Sequence, residues 1–179
     1  MYKTAITVHK IYSSPEHNYF TKEKFVQGDA PTLTHQSIKL VPNQGIKDDR
    51  FEFAKYPITF FSLEVATEVC KELELPLQLE LFRRNIVISG VHLNSLIKKQ
   101  FIIDGIVFEG LAHCAPCTWM NHVLKKGAFS LMSGRGGLRA KVIDGGELFL
   151  GDAILQTEFE IDTNPLVPLK KPSIPKNQL

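Results

Sequence analysis

Two stretches limit the possible folds of this chain more than any other. Residues 100–110 read QFIIDGIVFEG, and residues 138–152 read LRAKVIDGGELFLGD. In the first, apolar residues flank Asp104-Gly105. An Asp-Gly pair in that setting is a strong hairpin signal, because the favoured two-residue turn needs positive φ at both centres. The second stretch repeats the pattern around Asp144-Gly145-Gly146 and predicts a second hairpin. Further strands are expected at 4–12, 37–41, 57–61, 85–91 (NIVISGV) and 152–161. NIVISGV barely alternates, so it reads as a strand buried on both faces. Several short strands, tight turns and few helices are the pattern of a barrel or closed sheet, in the mainly β (α+β) class.

One helix is plain, SLEVATEVCKEL at 62–73. Ser62 suits the N-cap, and Glu64 sits in the first turn where the helix dipole favours negative charge. Ala66, Val69, Cys70 and Leu73 fall on one apolar face, so Cys70 reads as a small buried hydrophobe. Residues 13–36 form a polar loop, long enough that function is the usual reason. Residues 163–179 carry Pro165, Pro168, Pro172 and Pro175 and cannot pair inside a sheet. The domain is expected to span 1–161, with 162–179 a proline-rich tail that makes few buried contacts and is dispensable for folding.

Charge narrows the choice of partner. The 179 residues hold 21 Lys and Arg against 19 Asp and Glu, a net charge of +2. That is too little to make nucleic acid or an anionic membrane an obligate partner. No apolar run is long enough to span a bilayer, and MYKTAITVHK lacks the apolar segment of a signal peptide. Three cysteines make no disulfide framework, so a reducing, cytoplasmic setting is expected.

Two of those cysteines stand together in LAHCAPCTWMN, 111–121. Pro116 suits the first position of a helix, and Trp119, Val123 and Leu124 supply an apolar face. With Gly127 as a stop, a helix is predicted over 116–126, with Cys117 in its first turn and Cys114 just outside. Free N–H groups and the dipole there would favour a thiolate at Cys117. Four readings stay open at this point. The pair could join His113 and His122 in a closed zinc site, act as a dithiol–disulfide couple, pack inertly in the core, or present one reactive thiolate.

A second cluster is SGRGGLRA, 133–140. Gly134, Gly136 and Gly137 allow close backbone approach, and Arg135 and Arg139 add forked donors for phosphate or carboxylate. It lacks the Gly-Lys-Ser/Thr ending of a P-loop. FRRNIVISG, 82–90, adds Arg83, Arg84 and Asn85 at the start of a strand, one arginine read as an anchor and the other as solvated. SPEHNYFTKEK, 14–24, adds His17 and Lys22.

Together these pieces resemble the MOSC domain, the family named after the C-terminal domain of molybdenum cofactor sulfurase. RRNIVISGVHLNSL, FIIDGIVFEG, CAPC-x-WM and GRGGLRAKVIDGGELFLGD follow the family's order. SPEHNYFTK resembles its His-x-Phe-Ser-Lys stretch, and GIKDDRF its Gly-x-x-Gly-Asp-Arg/Ala-His stretch. The resemblance implies a MOSC-type β-barrel and a role in molybdenum cofactor or sulfur chemistry. It makes Cys117 the molybdenum ligand or sulfur acceptor, with Cys114 an accessory thiol. For the cofactor's anionic side it points to Arg135, Gly136, Gly137 and Arg139, then to Arg84, Asn85 and Lys22. Three functions follow: a reductase of N-hydroxylated compounds, a sulfur-transfer module, or a cofactor-binding domain without turnover. The implied partners are a small-molecule substrate and either a cysteine desulfurase or an electron-donor protein. Any pyridoxal phosphate would belong to a partner, not to this chain. The chain departs from the family at Phe51, where a histidine is expected, and at Asp48, where a glycine is expected. If that histidine serves substrate or cofactor, this chain has replaced it.

Overall fold

The computed structural model describes residues 1–18 and 28–170. Seven strands close into a barrel. In spatial order they are β10 (Gly151–Thr157), β6 (Gln100–Ile103), β7 (Ile106–His113), β8 (Leu138–Asp144), β4 (Ile58–Ser62), β5 (Ile86–Ser89) and β1 (Tyr2–Ser13). Pairing of β1 with β10, Tyr2 with Thr157 through Val8 with Gly151, closes the ring. The closure depends on one bend. The register of β1 against β5 shifts between Val8 and Lys10, so the first half of the strand pairs with β10 and the second half with β5. An extra strand, β2 (Leu33–His35), lies outside β1. No helix among the described residues is long and apolar enough to cross a membrane.

The first predicted hairpin forms: β6 and β7 pair from Ile103–Ile106 outward across Asp104-Gly105. The second does not. β8 pairs with β7 and β4, while β9 (Gly146–Phe149) leaves the barrel and pairs with β3 (Ser37–Leu40). Gly145 lies against the Leu40 carbonyl, where an added Cβ would stand 2.5 Å from its oxygen. The Asp-Gly-Gly turn therefore passes the chain from one sheet to another instead of folding it back on itself.

Alternation in β4 separates two cores. Phe60 points into the barrel and meets Phe101 and Phe108 edge-on, at 5.7 and 5.3 Å between ring centroids. Its neighbour Phe61 points out, into a second cluster with Phe82, Trp119, Met120 and Met132. That cluster is covered by α1 (Leu63–Glu72), capped by the Ser62 side chain accepting from Val65 N–H. Cys70 is buried there as expected, and burial pushes its thiol pKa up.

The helix expected over 116–126 is instead two short pieces, α2 (Trp119–Val123) and α3 (Ala128–Leu131). Asn121 Oδ1 accepts from the N–H groups of Gly127 and Phe129, at 3.1 and 2.9 Å, so a side chain takes over where the helix would continue. Gly127, at φ +106°, starts the second piece rather than stopping the first. Cys117 thus precedes the cap at Thr118 and lies in no helical turn, and the dipole argument for its thiolate falls away.

Residues 162–170 contain no strand or helix, yet they are tied to the body. Leu169 N–H donates to the Gly134 carbonyl (2.9 Å), and the Val167 carbonyl lies 3.0 Å from His92 Nε2. This part of the tail is mostly exposed, and these hydrogen bonds are what tie it to the body.

Candidate functional site

One cavity, about 360 Å³, gathers most of the candidate side chains. Cys114, Ala115, Cys117 and Met120 form one wall, and Phe51, Ala54, Lys55 and Tyr56 another. Arg83, Arg84, Arg139, His17 and Thr59 complete it. Four of these are cations, and no described carboxylate lines the cavity.

Arg83 sets up its neighbour. It holds a left-handed backbone, φ +57°, directly after a 3₁₀ turn over Leu79–Phe82, so successive side chains diverge. Arg83 donates to Thr32 Oγ1 (3.0 Å), Ser14 Oγ (3.3 Å) and the Glu16 carbonyl (3.0 Å), and so anchors the loop after β1. Arg84 turns the other way and is 7 % exposed. Its Nε donates to the Gly136 carbonyl (2.9 Å), Nη1 to Phe82 O (3.0 Å) and Nη2 toward Cys114 O (3.5 Å). Among the described residues its hydrogen-bond partners are carbonyl oxygens only. Both arginines are therefore anchored; neither is a solvated partner of the other.

Four positions predicted to hold an anion, Arg135, Gly136, Gly137 and Asn85, do other work. Arg135 is ion-paired with Glu68, and its Nη2 and Nε also donate to the Leu131 carbonyl, so it is drawn away from the cavity. Gly136 and Gly137 serve close packing. A Cβ on Gly136 would lie 2.3 Å from Cys114 O, and one on Gly137 2.2 Å from Phe60 O. Their polar groups are also committed: Gly136 N–H to His113 Nε2 (3.1 Å), Gly137 O to Cys114 N–H (2.8 Å). Asn85 is fully buried and knots the barrel end. Its Oδ1 accepts from Thr59 N–H and Oγ1–H (3.1 and 2.8 Å), and its Nδ2 donates to Tyr12 O and Asp49 Oδ2. Lys22 lies outside the described residues.

Arg139, Arg84, Cys114 and Cys117 do meet at the cavity. Arg139 stacks over the Tyr56 ring at 5.0 Å, which holds its guanidinium at the rim. Cys114 is buried at 4 % exposure, whereas Cys117 is partly exposed. The zinc reading fails among the described residues, where no group of three or more His, Cys, Asp or Glu side chains could hold a metal ion.

Ala54, Lys55, Tyr56 and Thr59 line the cavity without a sequence signal of their own, whereas Met120 belongs to the CAPC-x-WM stretch. Phe51 lines the cavity where the family pattern has histidine, and it packs edge-on against His17 at 5.0 Å. Asp48 takes φ +61° where that pattern has glycine, a conformation aspartate tolerates. Burial lowers the pKa of His17, aided by Arg50 and Arg83 against the opposing pull of Asp49. Burial, then Arg84 and Arg139, lower that of His113.

The MOSC domain model matches residues 42–155, most of the chain. This chain belongs to the MOSC family. No curated protein matches it in sequence. Among solved structures it is similar to the YUAD protein from Bacillus subtilis, with TM-score 0.70 and 16% identity over 86% of this chain and 96% of that one. It is similar to YiiM from Escherichia coli (TM-score 0.56, 16% identity, 93% and 75% covered). YiiM from Geobacillus stearothermophilus gives TM-score 0.60 and 14% identity, with 84% and 75% covered. At these identities the likeness is one of fold.

Proposed function

We propose that this MOSC protein binds molybdenum cofactor and reduces N-hydroxylated compounds, with Cys117 as ligand to the metal. One observation carries the reading: Cys117 opens into a cavity whose buried cation, Arg84, has carbonyl partners and, among the described residues, no carboxylate. A buried charge without a counter-ion is expensive, so an anion arriving there is stabilised. The residues present fit the group. Cys117 is a soft donor of the kind molybdenum takes, and Arg84 and Arg139, with Lys55 beside them, would meet its phosphate. Phe51, Tyr56 and Met120 offer apolar surface to the planar part of a ligand and exclude water beside the sulfur. When bound, the cofactor supplies the two-electron chemistry that cleavage of an N–O bond requires. The small-molecule substrate, an electron-donor protein and a cytoplasmic setting belong to this proposal.

A second reading is favoured by Cys114 sharing the cavity. Cys117 thiolate would take the outer sulfur of a cysteine desulfurase persulfide, the desulfurase thiolate leaving, and attack by Cys114 on Cys117 would release that sulfur as sulfide and leave a Cys114–Cys117 disulfide for an external thiol to reduce. A domain that holds cofactor without turnover is the third. Protein made in a cofactor-competent host tests all three, through molybdenum content, oxidised-pterin fluorescence and turnover with an electron donor. Stoichiometric molybdenum with turnover, both lost in a folded Cys117→Ser variant, is expected. Molybdenum retained in that variant overturns the ligand assignment. A one-sulfur mass gain on Cys117 without molybdenum favours the second reading, and molybdenum without turnover the third.

A further inference from the structure

We infer that His113 is a positioning residue for the anion site: it fixes Gly136, and Gly136 fixes the guanidinium of Arg84. This rests on the anion-binding part of the proposed function.

The link runs through one residue. His113 Nε2 accepts the Gly136 N–H at 3.1 Å, and the Gly136 carbonyl accepts from Arg84 Nε at 2.9 Å. Gly136 lies so close to the loop Cys114–Pro116 that a Cβ would stand 2.3 Å from Cys114 O and 2.8 Å from Pro116 Cδ. That packing places the residue, and the bond to His113 holds its N–H, so that its carbonyl is presented to Arg84. Arg84 has two further bonds, to Phe82 O at 3.0 Å and Cys114 O at 3.5 Å. The second is long, so the Nε bond does much to aim the fork.

The same geometry settles the tautomer. Accepting at Nε2 requires a neutral ring with its proton on Nδ1. Burial first, then two neighbouring cations, keep it so: Arg84 precedes β5, Arg139 stands on β8, and both oppose a further positive charge. Residue 113 ends β7, paired with Leu138 of β8, so ring and glycine loop are held by adjacent strands. His113 does not line the cavity, and it acts on a ligand only through Gly136 and Arg84.

The test uses inorganic sulfate, titrated into the full chain and followed by NMR. His113→Leu removes the acceptor, and His113→Gln keeps an oxygen acceptor at about the reach of Nε2. Losing one hydrogen bond that supports a charged group is expected to weaken sulfate binding about fivefold or more in the leucine variant. The glutamine variant should stay within about twofold of wild type, and the Arg84 Nε–H should exchange faster with solvent in the leucine variant only. Should His113→Leu not fold, His113→Asn serves, since its acceptor is too short to reach Gly136. Arg139→Gln checks the anion site itself. If Arg139→Gln weakens sulfate binding but His113→Leu does not, the inference falls and the anion reading stands. Equal weakening by leucine and glutamine shows that ring volume is what matters, and also overturns the inference. If wild type takes up no sulfate, both fall.

Discussion

Deleting residues 164–179 should destabilise the barrel measurably, although proline content alone argued for a dispensable tail. The deletion removes the Leu169 N–H bond to Gly134 O (2.9 Å), the Val167 O contact with His92 Nε2 (3.0 Å) and a longer one from Arg135 to Leu166 O (3.4 Å). A net 0.5–1.5 kcal/mol for each of the two short bonds gives about 1–3 kcal/mol. For a chain of this size that lowers Tm by about 3–10 °C, read by calorimetry. Gly134 provides the specific check. It stands at φ +73°, and an added Cβ would lie 2.8 Å from both Leu169 N and O. Gly134→Ala in the full chain combines left-handed strain, about 1 kcal/mol, with a clash against the strap worth about 1–3 kcal/mol. In the truncated chain only the strain remains. The two changes should therefore be non-additive by about 1 kcal/mol or more. Additivity within about 0.5 kcal/mol, or a truncated chain melting with the full one, would refute docking of residues 164–170 on Gly134.

Three further outcomes are expected. Asn85→Ala should cost about 2–4 kcal/mol in urea melts, because Thr59, Tyr12 and Asp49 lose a buried partner; a near-neutral result would return Asn85 to the list of ligand contacts. Stability should fall as pH drops below about 6.5: His17 and His113 have lowered pKa values in the fold, so the unfolded chain takes up protons first, and above about 7 this contribution is constant. Urea melts across that window check it, and a flat profile would contradict it. Iodoacetamide should label Cys117 in the folded protein and reach Cys70 and Cys114 only on unfolding, as their burial dictates; peptide mass spectrometry reads the order.

The fold was legible where a signal was local. Asp104-Gly105 fixes a turn by its own backbone preference, and Ser62 with the apolar spacing after it fixes α1. It was not legible where partners are distant in sequence. Asp144-Gly145-Gly146 carries the same turn chemistry as Asp104-Gly105, and nothing near it says that β9 will find β3, more than a hundred residues earlier. The break in the helix after Cys117 was hidden for a similar reason. Asn121 is an ordinary helix residue until its side chain finds the N–H groups of Gly127 and Phe129.

The candidate site divides along the same line, and the division says what its glycines and arginines are for. A Gly-rich run with two arginines looks like an anion cradle, since flexible backbone and forked donors are what a cradle needs. The same composition also serves close packing of two loops, and local sequence cannot separate the uses. Here the distances decide. Gly136 and Gly137 are small because the loop Cys114–Pro116 and the Phe60 carbonyl lie against them. Arg135 is spent on Glu68. What remains for a ligand is Arg84, which the glycine loop orients, and Arg139, which Tyr56 holds. The motif therefore acts at one remove. It brings the cysteine loop and a buried guanidinium to one cavity, and the donors that the proposed cofactor would meet come from outside the glycines.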